Sequence, residues 1–152
     1  MSDTHQLCTF YIDDLLLGID VDDVQEVLQA QFLTRVPLAS ESVAGLINLR
    51  GQIITAVNLR ACLNRPWEAK HQNSLSLIVR SKSTLISLLV DRMGDVIDVD
   101  EADFAAPPES VDRNTVELIR GAYRLPDTLL LVLDSEQVVT HVTGLHDSGR
   151  TA

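Results

Sequence analysis

A chain of 152 residues that is 45% hydrophobic has enough apolar mass for one compact domain, or for two small halves sharing an interface; it is not the composition of a disordered protein. Its formal net charge of −10 argues against a nucleic-acid binder, because phosphates select a basic footprint. The longest unbroken apolar run, Leu129–Leu133, is far short of the roughly 20 residues that a membrane-spanning helix needs.

The first residues, Met1-Ser2-Asp3-Thr4-His5, form no basic or apolar leader, so a cytoplasmic chain is expected. The runs Leu7–Ile12 and Leu15–Ile19 flank Asp13-Asp14, a two-residue turn that joins hairpin strands. Thr9 is the only polar residue of the first run, which points to a strand buried on both faces. Over Val21–Ala30, Val21, Val24 and Leu28 recur at helical spacing. A helix is expected there, capped by Asp20, with Glu26 pointing away from the apolar stripe. Phe32–Val36 reads as a strand stopped by Pro37.

Ser42–Gly51 reads as a turn-rich corner, with Gly45 and Gly51 marking positive φ or close backbone approach. Gln52–Asn58 is a strand, and Leu59–Leu63 a short helix. A polar loop runs from Arg65 to Asn73. Leu75–Arg80, with Leu75, Leu77 and Val79 on one face, and Thr84–Asp91 form a hairpin about Ser81-Lys82-Ser83. Gly94 interrupts before the strand Asp95–Val99, and an acidic, proline-bearing linker covers Asp100–Pro108. Val116–Arg124 and Thr128–Leu133 make another hairpin about Pro126-Asp127. Asp134 with Gln137 opens a last short helix, and the tail from Gly144 is expected to fray. Many short strands and few helices favour small antiparallel barrels over a parallel βαβ sheet, and the half-and-half layout suggests two of them.

The charge is unevenly placed. Between Arg50 and Arg92, seven basic side chains (Arg50, Arg60, Arg65, Lys70, Arg80, Lys82, Arg92) stand against Glu68 and Asp91, a local +5, while residues 1–49 carry −7 and 93–152 carry −8. Such a dipole orients docking on protein partners; chance and solubility account for it equally well.

Signals for chemistry are sparse. There is no GxSxG, HExxH, GxxxxGK or GxGxxG. His141, His146 and Asp147 lack metal-site spacing, and Asp95, Asp98, Asp100, Glu101 and Asp103 lack the glycine and terminal glutamate of a calcium loop. Aromatics are 4% of the chain, and Trp67 with Arg65 and Lys70 is the sole local hint of a nucleic-acid platform. Cys8 and Cys62 have no CxxC partner and are expected as buried free thiols. No enzyme, metal or cofactor is expected; a protein-binding surface is. Arg50, held between Asn48 and Gly51, has two readings of equal weight: a guanidinium presented to a partner carboxylate, or an internal salt bridge that clamps the corner.

Val43-Ala44-Gly45-Leu46-Ile47-Asn48-Leu49-Arg50-Gly51-Gln52-Ile53-Ile54-Thr55-Ala56-Val57-Asn58-Leu59-Arg60 resembles the signature of the CheW family. Phe10-Tyr11, Gly18-Ile19-Asp20-Val21, Val24-Gln25-Glu26-Val27, Arg35-Val36-Pro37, Leu89-Val90-Asp91 and Leu131-Val132-Leu133-Asp134 fall in the family's order. The likeness runs from about Leu7 to Val139. It implies a mainly β fold of two SH3-like five-stranded β-barrel subdomains packed together, with a few short helices. Residues 1–143 would form that single domain and 144–152 a flexible C-terminal tail. It also implies a non-catalytic adaptor between the cytoplasmic tip of a chemoreceptor and the regulatory domain of a CheA-type histidine kinase. Such an adaptor is cytoplasmic, recruited to receptor arrays at the inner face of the membrane without inserting into it. The alternative is a scaffold of another kinase pathway, in pilus motility or surface sensing. The resemblance assigns receptor binding to Val24, Glu26, Val27, Asn48, Arg50 and Gly51, and places no kinase contact. Two departures stand out: Asn58 where the family usually has Asp, which removes a charge near Arg60, and Arg92 where it often has a small or apolar residue.

Overall fold

The computed structural model describes residues 4–29, 33–66 and 75–151, with the backbone alone for 144–151. Strands β1 (Thr4–Ile12) and β2 (Leu15–Asp20) form the first hairpin, and a 3₁₀ turn over Val21–Asp23 leads into β3 (Val24–Leu28). The hairpin β4 (Val43–Leu49) and β5 (Gln52–Asn58) ends in α1 (Leu59–Cys62). Then come β6 (Leu75–Ser81), β7 (Thr84–Val90), β8 (Arg92–Asp100), a second 3₁₀ turn over Glu101–Asp103 and β9 (Phe104–Ala105). The helix α2 (Arg113–Val116), the hairpin β10 (Ile119–Arg124) and β11 (Leu129–Leu133), and α3 (Ser135–Thr151) complete the described chain.

These strands form two sheets, ordered β8-β1-β2-β11-β10-β9 and β3-β6-β7-β5-β4. The division is not between the halves of the sequence. Both ends of the chain build the first sheet, and its middle builds the second. Within each, one parallel pair, β2 with β11 or β5 with β7, joins antiparallel hairpins. The second sheet curls until its far edges meet: Thr34, just after β3, pairs with Leu46 of β4 through hydrogen bonds of 2.9 and 2.8 Å. The fold is the mainly β, two-barrel arrangement with few helices; the first sheet counts six strands because the two-residue β9 joins it.

Alternation of side chains explains why so many strands are nearly continuously apolar. Cys8, Phe10 and Ile12 of β1, Leu17 and Ile19 of β2, Leu77 and Val79 of β6, Leu88 and Val90 of β7, and Leu131 and Leu133 of β11 enter one core shared by the two sheets. The opposite faces fill two separate interiors. Leu7, Leu16, Tyr123, Leu130 and Val132 fill the first barrel, and Ile47, Ile54, Ala56 and Ile78 the second. Each central strand therefore serves two cores, and at about 25 cal/mol per Å² of buried apolar area that double burial is the main stabilising term.

Several sequence expectations change in the fold. The helix expected over Val21–Ala30 is the 3₁₀ turn followed by β3; residue 30 lies outside the described residues. Asp20 does cap, its Oδ1 accepting from Asp22 N at 2.9 Å. Beyond that turn, however, the chain pairs with β6 as an edge strand of the second sheet, which sets Val24 against the shared core and Leu28 against the second barrel's interior. Val24, Glu26 and Leu28 are the more buried residues of β3 and Gln25 and Val27 the exposed ones, so Glu26 does not point away from the apolar positions.

The Ser42–Gly51 corner is mostly strand β4, with turn residues only at its two ends, Ser42 and Arg50-Gly51. Of Phe32–Val36, Thr34 alone pairs and Phe32 lies outside the described residues. Gly94 lies within β8 rather than before it, and Val116 ends α2 instead of opening a strand. The Asp100–Pro108 linker holds the second 3₁₀ turn and β9. Asp134 caps α3, accepting from Glu136 N and Gln137 N at 3.0 and 3.2 Å, and the helix runs past the short segment expected from that signal. Cys8 and Cys62 are buried free thiols, and burial pushes both up. The loop from Trp67 to Asn73, and the side chains of His146 and Asp147, lie outside the described residues.

Candidate docking site at the hairpin tip and the strand edge

The turn between β4 and β5 is built from Leu49-Arg50-Gly51-Gln52, with Leu49 paired to Gln52. Arg50 and Gly51 both take positive φ, 51° and 86°, as a two-residue type I′ hairpin requires. Glycine supplies that at no steric cost, and an added Cβ at Gly51 would meet nothing within 4 Å. Arginine in the left-handed region costs about 1–2 kcal/mol and is held there by its surroundings. One brace is Asn48, whose Oδ1 accepts from Gly51 N at 2.9 Å. Gly45 is a close approach, as its Cβ would lie 2.6 Å from the Thr34 carbonyl at the seam.

The Arg50 guanidinium donates to the Glu26 carboxylate of β3 and forms an ion pair with it. Hydrogen bonding to Glu26, then its charge, raises the Arg50 pKa above its ordinary value. This pair spans strands that stand at opposite ends of the sheet order, so it crosses the seam of the second barrel. The Arg50 side chain is nevertheless 65% exposed, against 25% for Glu26. Both readings of Arg50 thus meet in one geometry: an internal pair that remains open to a partner.

An exposed apolar side chain lies close in sequence to each member of the pair. Val27 of β3 is 42% exposed. Ile53 of β5, the partner of Asn48 in the ladder, is 60% exposed. Val24 is different, being partly buried against the shared core. The structure brings Glu26, Asn48, Arg50 and Gly51 together at the seam of the second barrel; Val27 and Val24 pair with Leu77 and Val79 and so lie on the other face of β3 from Glu26. Ile53 was not among the expected site residues. Its signal in the sequence was its place next to buried Ile54, since two adjacent strand residues cannot both face one core.

A second arginine cluster sits where the chain crosses between sheets. Arg60 of α1 is 4% exposed. Its guanidinium reaches Asp13 in the β1–β2 turn at 2.9 Å, Asp91 at the β7–β8 junction, and the Pro66 carbonyl at 3.1 Å. Asp91 also accepts from Asp13 N at 2.6 Å, and Arg65 approaches Asp13 at 3.3 Å. Burial opposes the Arg60 charge, but the hydrogen bonds to Asp13 and Asp91 more than offset it, and its pKa lies above the ordinary value. The hydrogen bond from Arg60 in turn holds the Asp13 carboxyl below the usual carboxylate range. Asn58 does not leave Arg60 unpaired: it caps α1, accepting from Ala61 N at 3.2 Å, while Asp13 and Asp91 supply the charge. The unusual Arg92 stacks on the Tyr11 ring, 3.6 Å from its centroid. Among the described residues no group of three or more histidine, cysteine, aspartate or glutamate side chains could hold a metal ion, and no helix is long and apolar enough to cross a membrane.

Comparison with known proteins agrees with this architecture. The CheW-like domain family matches residues 6–143. Curated proteins named Chemotaxis protein CheW are similar along most of their length. The one from Thermotoga maritima is 28% identical, covering 91% of this chain and 89% of its own. That from Treponema pallidum is 32% identical, covering 85% and 78%. Among solved structures, scaffolding protein TtCheW from Thermoanaerobacter tengcongensis superposes with a TM-score of 0.77 at 27% identity, over 87% of this chain and 90% of that one.

Proposed function

Since the chain belongs to the CheW-like domain family, we propose that it is a non-catalytic adaptor that couples chemoreceptors to a CheA-type histidine kinase. The observation that carries the receptor half of this reading is the Glu26–Arg50 pair at the barrel seam, its arginine exposed, with apolar Val27 and Ile53 exposed on the strands that carry it and follow it. A receptor helix would lay its apolar residues along the Val24/Val27 edge while Arg50 and Glu26 set its register, an apolar contact with a polar rim. Asn48 and Gly51 hold Arg50 in the strained turn, so its backbone is ordered before a partner arrives.

Transmission needs no turnover. Receptor and kinase are held in one assembly, and movement of the first biases the conformational equilibrium of the second. The fold supports a rigid transmitter, because two barrels share one core and are tied by a buried ion cluster. The protein would work in the cytoplasm, recruited to receptor arrays at the membrane's inner face.

Co-sedimentation of the purified chain with receptor-tip fragments and a CheA-type kinase, with Arg50→Ala alongside, tests this. Wild type should join the complex and the variant should lose receptor while retaining kinase. If wild type joins neither, the chemotaxis reading fails, and a scaffold in a pilus or surface-sensing kinase pathway takes its place.

A further inference from the structure

A second surface, away from the hairpin tip, has a chemistry of its own. A groove of about 280 Å³ opens over the first sheet, with Leu7, Ile19 and Tyr123 in its floor and Phe104 as one wall. Phe104 is 41% exposed and packs edge-on against Tyr123, ring centroids 5.3 Å apart. A large aromatic left this open on a two-residue strand is where an apolar guest would seat.

The rim is acidic, and its carboxylates divide into two kinds. Asp20 is used as a helix cap, accepting from Asp22 N, as are Asp100 and Asp134 beyond the lining, which accept from Ala102 N and from Glu136 N and Gln137 N. Asp23 and Glu101, which line the groove, are not used in that way. Asp23 makes no side-chain hydrogen bond or ion pair among the described residues, and Glu101 has only His5 Nε2 at 3.8 Å. Arg120 is the one permanent cation among the described lining residues, and its nearest carboxylate oxygen is that of Asp134 at 3.7 Å. Burial first, then the charges of Asp20 and Asp22, push the Asp23 carboxyl up, with Arg120 a partial counterweight. An arriving cation would relieve that crowding.

We propose that this groove docks a segment of a protein partner that carries an apolar residue beside a lysine or arginine. The apolar side chain rests on Leu7, Tyr123 and Phe104, and the cation meets Asp23 and Glu101 at the rim. Charge complementarity selects this occupant: the groove supplies apolar contact and carboxylates that Arg120 only partly offsets, and such a pair on a partner satisfies both. The inference is independent of the reading of the hairpin tip.

The test is an NMR titration of the full chain with a short, end-capped peptide carrying a central Leu-Arg pair, beside the same peptide with Leu-Glu. Amide signals of Leu7, Phe104 and Tyr123 should move with the first peptide and not the second. Asp23→Asn with Glu101→Gln should weaken binding about tenfold, whereas Asp127→Asn with Glu117→Gln, the same change in net charge, should alter it less than about twofold. Arg120→Glu should tighten it. Shifts spread over the acidic surface with equal losses in both double variants, or no shifts at all, would overturn the proposal. So would groove signals that move with protein concentration alone, because the occupant is then a second copy bringing its basic middle segment.

Discussion

The tripeptide Asn-Leu-Arg occurs twice, ten residues apart, as Asn48-Leu49-Arg50 and Asn58-Leu59-Arg60. Locally the two copies behave alike. Each asparagine Oδ1 accepts from the backbone N–H three residues on, Gly51 in one and Ala61 in the other. Each leucine packs inward, Leu49 against the second barrel's interior and Leu59 into the shared core. Each arginine pairs with carboxylates distant in sequence. Yet Arg50 is an exposed side chain on a strained turn, and Arg60 is among the most buried charges in the molecule. Short-range sequence sets the cap; whether the guanidinium meets solvent depends on what the rest of the chain brings over it. The first copy therefore leaves its guanidinium open to solvent, and the second ties two sheets together.

The largest expected contrast comes from removing each guanidinium. Arg60→Ala leaves Asp91 without its counterion and Asp13 with Arg65 at 3.3 Å, and should cost about 2–3 kcal/mol in urea unfolding. Arg50→Ala should leave the melting temperature within about 2–3 °C, as for exposed ion pairs. Equal losses in the two variants would erase the distinction between clamp and contact. Next is binding: Arg50→Ala and Glu26→Ala should each weaken receptor-fragment affinity about tenfold or more by fluorescence anisotropy, while Arg60 variants that fold bind normally. Ile53→Ser should lower the same affinity by about 1 kcal/mol with no loss of stability; unchanged binding would confine the apolar part of the contact to β3.

Gly51→Ala makes the first tetrapeptide identical to Asn58-Leu59-Arg60-Ala61. It should not become helical by circular dichroism, and should cost about 1 kcal/mol for a side chain at positive φ. The smallest effect is on acid stability. The folded pKa of Asp13 is lowered, so its contribution is present above the unfolded value of about 4 and is lost as pH falls through the folded value. Urea midpoints for wild type should fall more steeply than for Asp13→Asn as the pH drops below about 4.

Much of the strand pattern was legible because β-ladders leave local marks. Gln52–Asn58 was read with its observed ends, and Asp13-Asp14 and Lys82 sit in turns as expected. The β3 segment misled because Val21, Val24 and Leu28 fit a helical stripe as well as a bulged edge strand, and its pairing partner β6 lies some fifty residues on. The candidate site was half legible. Arg50 and Gly51 stood out by the turn they imply, whereas Ile53 emerged only once the inward face of β5 was known.

By itself the sequence determined the class of the protein: short, nearly continuous apolar strands, punctuated by turn residues, can be satisfied only in a β fold that covers them on both faces. It also determined the hairpin tip, since Asn48 and Gly51 act within three residues of each other. Only the tertiary structure decided that the chain's ends share a sheet, that Glu26 meets Arg50 across a barrel seam, and that Arg60 lies buried between Asp13 and Asp91. The physical reason is range. Turns and caps are settled by neighbours along the chain, whereas burial and charge pairing depend on strands that meet only when the sheets close.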